Sequence, residues 1–598
     1  MTHRLATLLI AACIGAPALA QNADAIYFGG DIITMQGKTP QYAQALAVRD
    51  GRIAVVGAMS DAFRLNGPST RLVNLQGRTL LPGFIDTHGH FIYFGKNLMD
   101  ADLFGSRDVA DVLARMKAHV AKVPADGWIV GMGYQARVLK EQRSLTIEEL
   151  DSVSSDRPVM IVDSSGHLGA ANSVAFKLAG IGPDTPDPEG GAFARKADRK
   201  SLAGPMEETA LNAVRSRRPP FSGAAADQVA TGAAALWARY GQTTAMGCGL
   251  GLGNDDIDLT RNAIDKQLLP IDLFICAKDT VVDATVTAAQ RVAADYANAA
   301  TGSVSERQSA LVDAARSGAG STAARLLAAR PDLDKRYVNR VRLGGIKFWL
   351  DGSLDTAWFT QPYTVNPPGK SGVYRGYQQV PAEVLDAAFD TYWKTNLQLN
   401  MHLNGDAAAD QAINAIEKAI RKHGPSDHRP VFVHGTYLRP DQIAKLRKIG
   451  AIPSFLTSSM VSGGDSVVKI WGAARSAVAM PANTLWRMGL PFTLSHDAPV
   501  TPQPWIMPLV DAAVNRTTGS GVVVGPNERI SPYAALQAVT SMAAFQIKEE
   551  KTKGTLEAGK LADLVVLEKN PLTADPRTLK DIKVVETIKE GRTVFRLP

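Results

Sequence analysis

The chain has 598 residues, 65 Lys and Arg against 58 Asp and Glu, a net charge of +7, and 45% hydrophobic and 21% charged residues. That length supports a large core with an accessory domain, and no run beyond the amino terminus is long enough to cross a bilayer, which excludes a multispan membrane protein. The basic residues are scattered, and short clusters such as Arg215 to Pro220 (RSRRPP) read as solvated loop, so no nucleic-acid partner is expected.

The opening MTHRLATLLIAACIGAPALAQ has a short basic region, an apolar stretch from Leu5 to Ile14, and small residues Ala18 and Ala20. This is the layout of a signal peptide over residues 1–20, cut after Ala20, and it predicts a periplasmic or secreted protein. Cys13 would leave with it, so the mature chain keeps Cys248 and Cys276. They could form one bridge, although their spacing does not demand it.

From 21 to 80 branched apolar runs alternate with turn signals, including the D-G turn of RDGR at 49–52, and from 553 to 598 the same texture returns with KEGR as a turn. The two ends are predicted to build one small sheet domain together. Between them, over 81–552, short apolar runs alternate with helical stretches: 160–167, 241–247, 269–277, 341–352, 397–406, 430–435, 451–456 and 491–497. This alternation predicts an α/β fold with parallel strands, a TIM barrel with insertions, although the candidates exceed eight by one or two. The Ala-rich stretch near 281–340 reads as a helical insertion.

Several of these runs end in metal-ligand residue types. FIDTHGH at 84–90 offers His88 and His90, which on a strand would share a side with Asp86. Lys347 lies near the end of GGIKFWLDG, His402 ends QLNMH, His434 ends VFVH, and Asp497 ends FTLSHD. In a parallel barrel the carboxyl ends of all strands meet at one face, so these residues can converge. Neutral imidazoles and carboxylates suit zinc or a similar divalent metal, one or two ions, with a position open for water. Such an ion brings the pKa of bound water towards neutrality and polarises a carbonyl, and Asp497, beside the ligands, can carry the proton to a leaving nitrogen. Lys347 fits among ligands if carbon dioxide converts its amine to an anionic carbamate bridging two ions.

With these residues in place, the sequence resembles the amidohydrolase superfamily over nearly all of the mature chain. LLPGFIDTHGH at 80–90 is similar to its first-strand signature, and GTLEAGKLADLVVLEKNP at 554–571 to its closing segment. SSGHLGAANSVAF, TPDPEGGAF, GPMEETA, IKFWLDGSLDTAWF, HLNGDAA and SHDAPVTPQPWIMPLVDAAVNR resemble the branch containing N-substituted formamide deformylases. The resemblance implies a distorted (β/α)8 barrel with a small β-sandwich from both termini. It implies His88 and His90 on the more buried metal, Lys347 as a carboxylated bridge, His402 and His434 on the second, and Asp497 as ligand and general base. It also implies substrate contacts from His167, Asp351 and Ser353; Glu208 near the metals or in a structural role; and matches at Trp128 and Tyr134, the former fitting core packing. Two positions depart from the pattern: Gly89 replaces a larger residue, which gives the loop more freedom, and His496 stands where serine or glycine is usual, beside the base.

The expected function is an exported metal-dependent hydrolase of a carbon-nitrogen bond, a linear or N-substituted amide, through metal-activated hydroxide attack on the carbonyl. The same residues would serve a lactone, ester or carbamate, and a non-catalytic metal-binding barrel is the alternative from another class. The partner is then a small-molecule amide, and the chain could also form a homo-oligomer.

Overall fold

The structure, a computed structural model, describes residues 22–136, 138–188, 191–253, 255–278, 321–367, 370 and 372–598. The predicted signal peptide and most of the predicted helical insertion near 281–340 lie outside the described residues.

Eight strands form the central sheet: β1 (Phe84–Ile85), β2 (Gln242–Leu250), β3 (Asp272–Lys278), β4 (Val341–Trp349), β5 (Gln398–Leu403), β6 (Val431–His434), β7 (Ile452–Phe455) and β8 (Thr493–Leu494). Each pairs in parallel with its predecessor, so spatial order follows chain order. The strands are buried on both faces, which is why they read as continuous apolar runs. The sheet curls until its first and last strands approach: Thr87 Oγ1 donates to Leu494 O (2.9 Å) and Asp497 N to His88 O (3.0 Å). Cys248 of β2 and Cys276 of β3 are register partners and form a disulfide.

The two ends of the chain meet in a second sheet. Thr79–Pro82 pairs antiparallel with Leu564–Leu567, joining the amino-terminal strands to the carboxyl-terminal ones over a core that includes Tyr27, Leu46, Leu80, Leu564 and Ile588. Both predicted hairpin turns are present. Asp50 and Gly51, then Glu590 and Gly591, all have positive φ, the geometry of the tight turn that matches strand twist.

A third sheet, inserted between β1 and β2, corrects the count of barrel strands. Ala101–Asp102, Ile129–Tyr134 and Val159–Asp163 run parallel, and Leu168–Ala171, Leu202–Glu208 and Gly191–Arg195 continue antiparallel. It packs its own core of Trp128, Met160, Phe176, Phe193, Met206 and Leu211. The run at 160–167 therefore belongs to this insertion. Among the described residues no helix is long and apolar enough to cross a membrane.

Candidate metal centre

The parallel register sets the ligand-bearing strand ends level. Lys347 pairs with Asn400, Trp349 with His402, and Leu403 with His434. The first two histidines arrive differently from the strand pattern expected of them. Strand β1 stops at Ile85, because Asp86 turns its carboxylate onto the backbone, accepting from His88 N (3.1 Å), Met246 N (3.1 Å) and Trp237 Nε1 (3.0 Å). His90 then precedes the helix Phe91–Asn97. The two imidazoles still converge, their ring centroids 5.1 Å apart, through a turn rather than strand alternation.

Asp497 is the hub. Its Oδ1 lies 3.2 Å from His88 Nε2 and 3.0 Å from His90 Nε2, and its Oδ2 lies 3.8 Å from His434 Nε2. Lys347 Nζ lies 3.1 Å from His88 Nε2, and the His402 and His434 rings are 4.6 Å apart. Ligand atoms of His88, His434 and Asp497 all fall within 4.8 Å of one another. Every predicted ligand is thus in one cluster. His90 Nδ1 contacts Cys248 O at 2.7 Å, which leaves Nε2 for the centre. His434 (φ 69°) and Asp497 (φ 55°) both hold the left-handed backbone conformation that costs non-glycine residues energy, a strain typical of functional sites.

The donors fit a cation better than they fit one another. Asp497 Oδ1 is buried without a hydrogen-bond partner, although His88 Nε2 and His90 Nε2 stand near it at bonding distance. Orphaned buried donors and acceptors are costly unless an ion or water satisfies them. Burial, with Lys347 adding to it, holds His88 and His402 well below the ordinary imidazole range, and burial with His402 does the same for His434, so all three stay neutral and able to ligate. Burial alone would raise Asp497, but His88 and His90 hold its carboxyl well below the usual range, ionised. Lys347, wholly buried, is lowered to about 7, with Asp497 only partly opposing that desolvation.

The departures at Gly89 and His496 prove to be one arrangement. A Cβ at position 89 would meet Asp86 Oδ2 at 2.6 Å and His496 Cε1 at 2.9 Å. Gly89 supplies room, not the loop freedom expected from sequence: its φ is not in the left-handed region, and space is what the position requires. His496 Nδ1 accepts from Ala498 N (3.0 Å), and its Nε2 faces Gln242 Oε1 (3.2 Å) and Asp86 Oδ1 (3.4 Å). It braces the Asp497 turn from behind.

The remaining predicted site residues take distinct places. His167 sits in the turn between Val159–Asp163 and Leu168–Ala171. Asp351 is fully buried behind the centre, accepting from Trp358 N, Asn404 N and Gly405 N, with Oδ1 3.2 Å from His402 Nδ1; burial raises it to about 7 despite those donors. Ser353 Oγ accepts from Asp355 N and holds the following turn. Glu208 closes its strand opposite Gly191, and its side chain lies outside the described part. Trp128 packs in the inserted core, as expected, and Tyr134 hydrogen-bonds Ser144. The sequence reading missed Trp349, whose ring centroid is 5.2 Å from Lys347 Nζ, and Tyr93, one helical turn beyond His90.

This curled parallel sheet with its His-His-Asp group belongs to a known class. The amidohydrolase family's profile matches residues 71–595, and the chain belongs to that family of metal-dependent hydrolases. It is 25% identical over 580 residues to the putative amidohydrolase YtcJ of Bacillus subtilis, covering 96% of this chain and 99% of that one. It is 25% identical over 586 residues to the N-substituted formamide deformylase of Arthrobacter pascens, covering 96% and 98%. A solved uncharacterised metal-dependent hydrolase from Pyrococcus horikoshii shares the fold at a TM-score of 0.69 and 20% identity, over 92% of this chain and 99% of that one.

Proposed function

We propose that the protein is an exported hydrolase that cleaves the carbon-nitrogen bond of a linear or N-substituted amide at a zinc-type centre. The observation that carries this reading is the convergence of His88, His434 and Asp497 within 4.8 Å, with His90, His402 and Lys347 around them. A divalent cation held by these side chains would activate water and polarise the scissile carbonyl. Asp497, ionised and aimed at the same space, takes the water's proton and delivers it to the departing nitrogen. The neutral imidazoles keep their lone pairs free for ligation, and Asp351 stands beside the His402 ring while it fastens the backbone that follows at Asn404 and Gly405. Lys347, whose amine burial brings to about 7, is suited to add carbon dioxide as a neutral nucleophile; the carbamate that forms, with loss of one proton, is an anionic donor where a second cation would sit. The terminal sheet is the small β-sandwich that accompanies the barrel, and the leader's composition supports export.

Protein recovered from the periplasm, beginning at Gln21 and supplied with zinc, is expected to hydrolyse N-formyl or N-acyl amines in a panel that also holds ureas, carbamates and lactones. Asp497→Asn is expected to lower kcat by about 10²- to 10⁴-fold while the protein keeps a bound cation. Activity confined to lactones would overturn the amide assignment, and an undiminished Asp497→Asn would overturn the base.

A further inference from the structure

The basic run Arg215–Pro220, which reads in sequence as uniform solvated loop, divides in the structure. Arg218 is ion-paired with Asp100 (2.6 Å) and lies over the Phe221 ring, and Arg217 is exposed. Arg215 differs from both. It closes the helix Thr209–Arg215 of the inserted sheet, half-buried, and its guanidinium donates to Asn212 Oδ1 and to Tyr93 Oη (3.2 Å), with Cζ 5.6 Å from the Tyr93 ring centroid. Both partners are neutral. Among the described residues no carboxylate lies within ion-pair reach of it, so a half-buried cation keeps donors of its five-pronged fork free of protein partners.

Its position ties that fork to the metal centre. Tyr93 is the third residue of the helix that follows His90, and it lines, with His90, Cys248, Gly249 and Leu252, a crevice beside that ligand. A methyl added at Gly166 would stand 3.9 Å from the same Tyr93 hydroxyl. Gly166 belongs to the turn between Val159–Asp163 and Leu168–Ala171 of the inserted sheet. Arg215 therefore lies on the seam where the inserted sheet meets the rim of the centre.

We infer that Arg215 is a carboxylate receptor at the mouth of the site, and that the substrate is an amide bearing a carboxylate, an N-acyl amino acid in its simplest form. The inference rests on the amide-hydrolase reading for the bond cleaved, not for the anion bound. A planar guanidinium matches the two oxygens of a carboxylate, and of the two half-buried arginines of this run Arg218 is committed to Asp100, so the fork of Arg215 alone suits a single negative charge better than a phosphate dianion.

The test compares N-acyl-phenylalanine with N-acyl-phenethylamine, which lacks only the carboxylate, on zinc-supplied protein. Arg215→Gln is expected to raise KM for the acid by about 10- to 100-fold with kcat little changed, and to leave the neutral amide within about twofold; Arg217→Gln should move neither. Arg215→Lys, which keeps charge but not the fork, should recover part of the affinity and guards against a simple folding defect. Equal effects on both substrates, or no wild-type preference for the acid, would overturn the receptor while leaving amide hydrolysis standing. Calorimetric binding separates the reverse case: an acid bound by wild type and not by Arg215→Gln, with neither amide cleaved, keeps the receptor and removes the hydrolysis reading.

Discussion

Gly89 and His496 show how one methyl group can matter at this centre. The added Cβ of Gly89→Ala would push on His496 and on Asp86, which orients the His88 backbone, so the variant is expected to lose about 1–3 kcal/mol of stability and to lower turnover through displaced ligands. Gly89→Ala with His496→Ser should recover part of both losses, because the second change removes the obstructing ring. Thermal melts and kcat for the four members of this double-mutant cycle measure the coupling; strictly additive losses would show that the two positions are independent. Sequence alone could identify each departure but not their contact, since nothing along the chain reports that positions 89 and 496 meet. The clustering of these residues was legible because a histidine or aspartate ending an apolar run is a chemical signal that survives without coordinates. The strand rule applied to His88 and His90 anticipated that the two rings converge but through the wrong geometry, as Asp86 ends the strand first.

At the level of elements, the amino-terminal end of β3 is held by charge where its carboxyl-terminal end faces the site. Asp272 Oδ2 lies 2.7 Å from both Lys553 and Lys589; Lys553 also reaches Glu549 (2.6 Å) and Lys589 reaches Asp563 (2.8 Å), all buried. These contacts fasten the carboxyl-terminal segment to the parallel sheet. Burial alone would raise Asp272, but the two ammonium groups hold it well below the usual carboxylate range; burial alone would lower Lys553, but Asp272 leads the groups that hold it well above its ordinary value. A depressed carboxylate stabilises above its unfolded pKa of about 3.8 and loses that contribution as pH falls. A raised lysine stabilises below its unfolded pKa of about 10.5 and loses that as pH rises. Asp272→Asn leaves two buried ammonium groups short of a partner and is expected to cost about 3–5 kcal/mol near neutral pH, with a shallower loss of stability on acidification than wild type. Denaturant unfolding between pH 3 and pH 8, as chosen conditions, checks both; an unchanged acid limb would deny the network this role. The alternating strands and helices were readable from sequence, but not which sheet a strand joins. Val159–Asp163 is as apolar and as buried as a barrel strand, and only its pairing with Ile129–Tyr134 assigns it to the insertion.

Across the whole molecule, the chain uses the two ends of its parallel strands for different purposes. The amino ends receive the buried ion network and the terminal sheet; the carboxyl ends carry the imidazoles and Asp497, and the inserted sheet sets Arg215 against Tyr93 of the helix that follows His90. Family membership and the parallel architecture could be anticipated from motifs spread over the chain, whereas the inserted sheet and its arginine could not, because their meaning lies in contacts between distant segments. The central claim is that these side chains form a site for a cation. The most direct test is the divalent-ion content of the purified protein after exhaustive dialysis, measured beside a His88→Asn, His434→Asn double variant. Wild type is expected to retain at least one ion per chain and the variant to lose it; a folded wild type that holds none even after zinc is supplied would contradict the account.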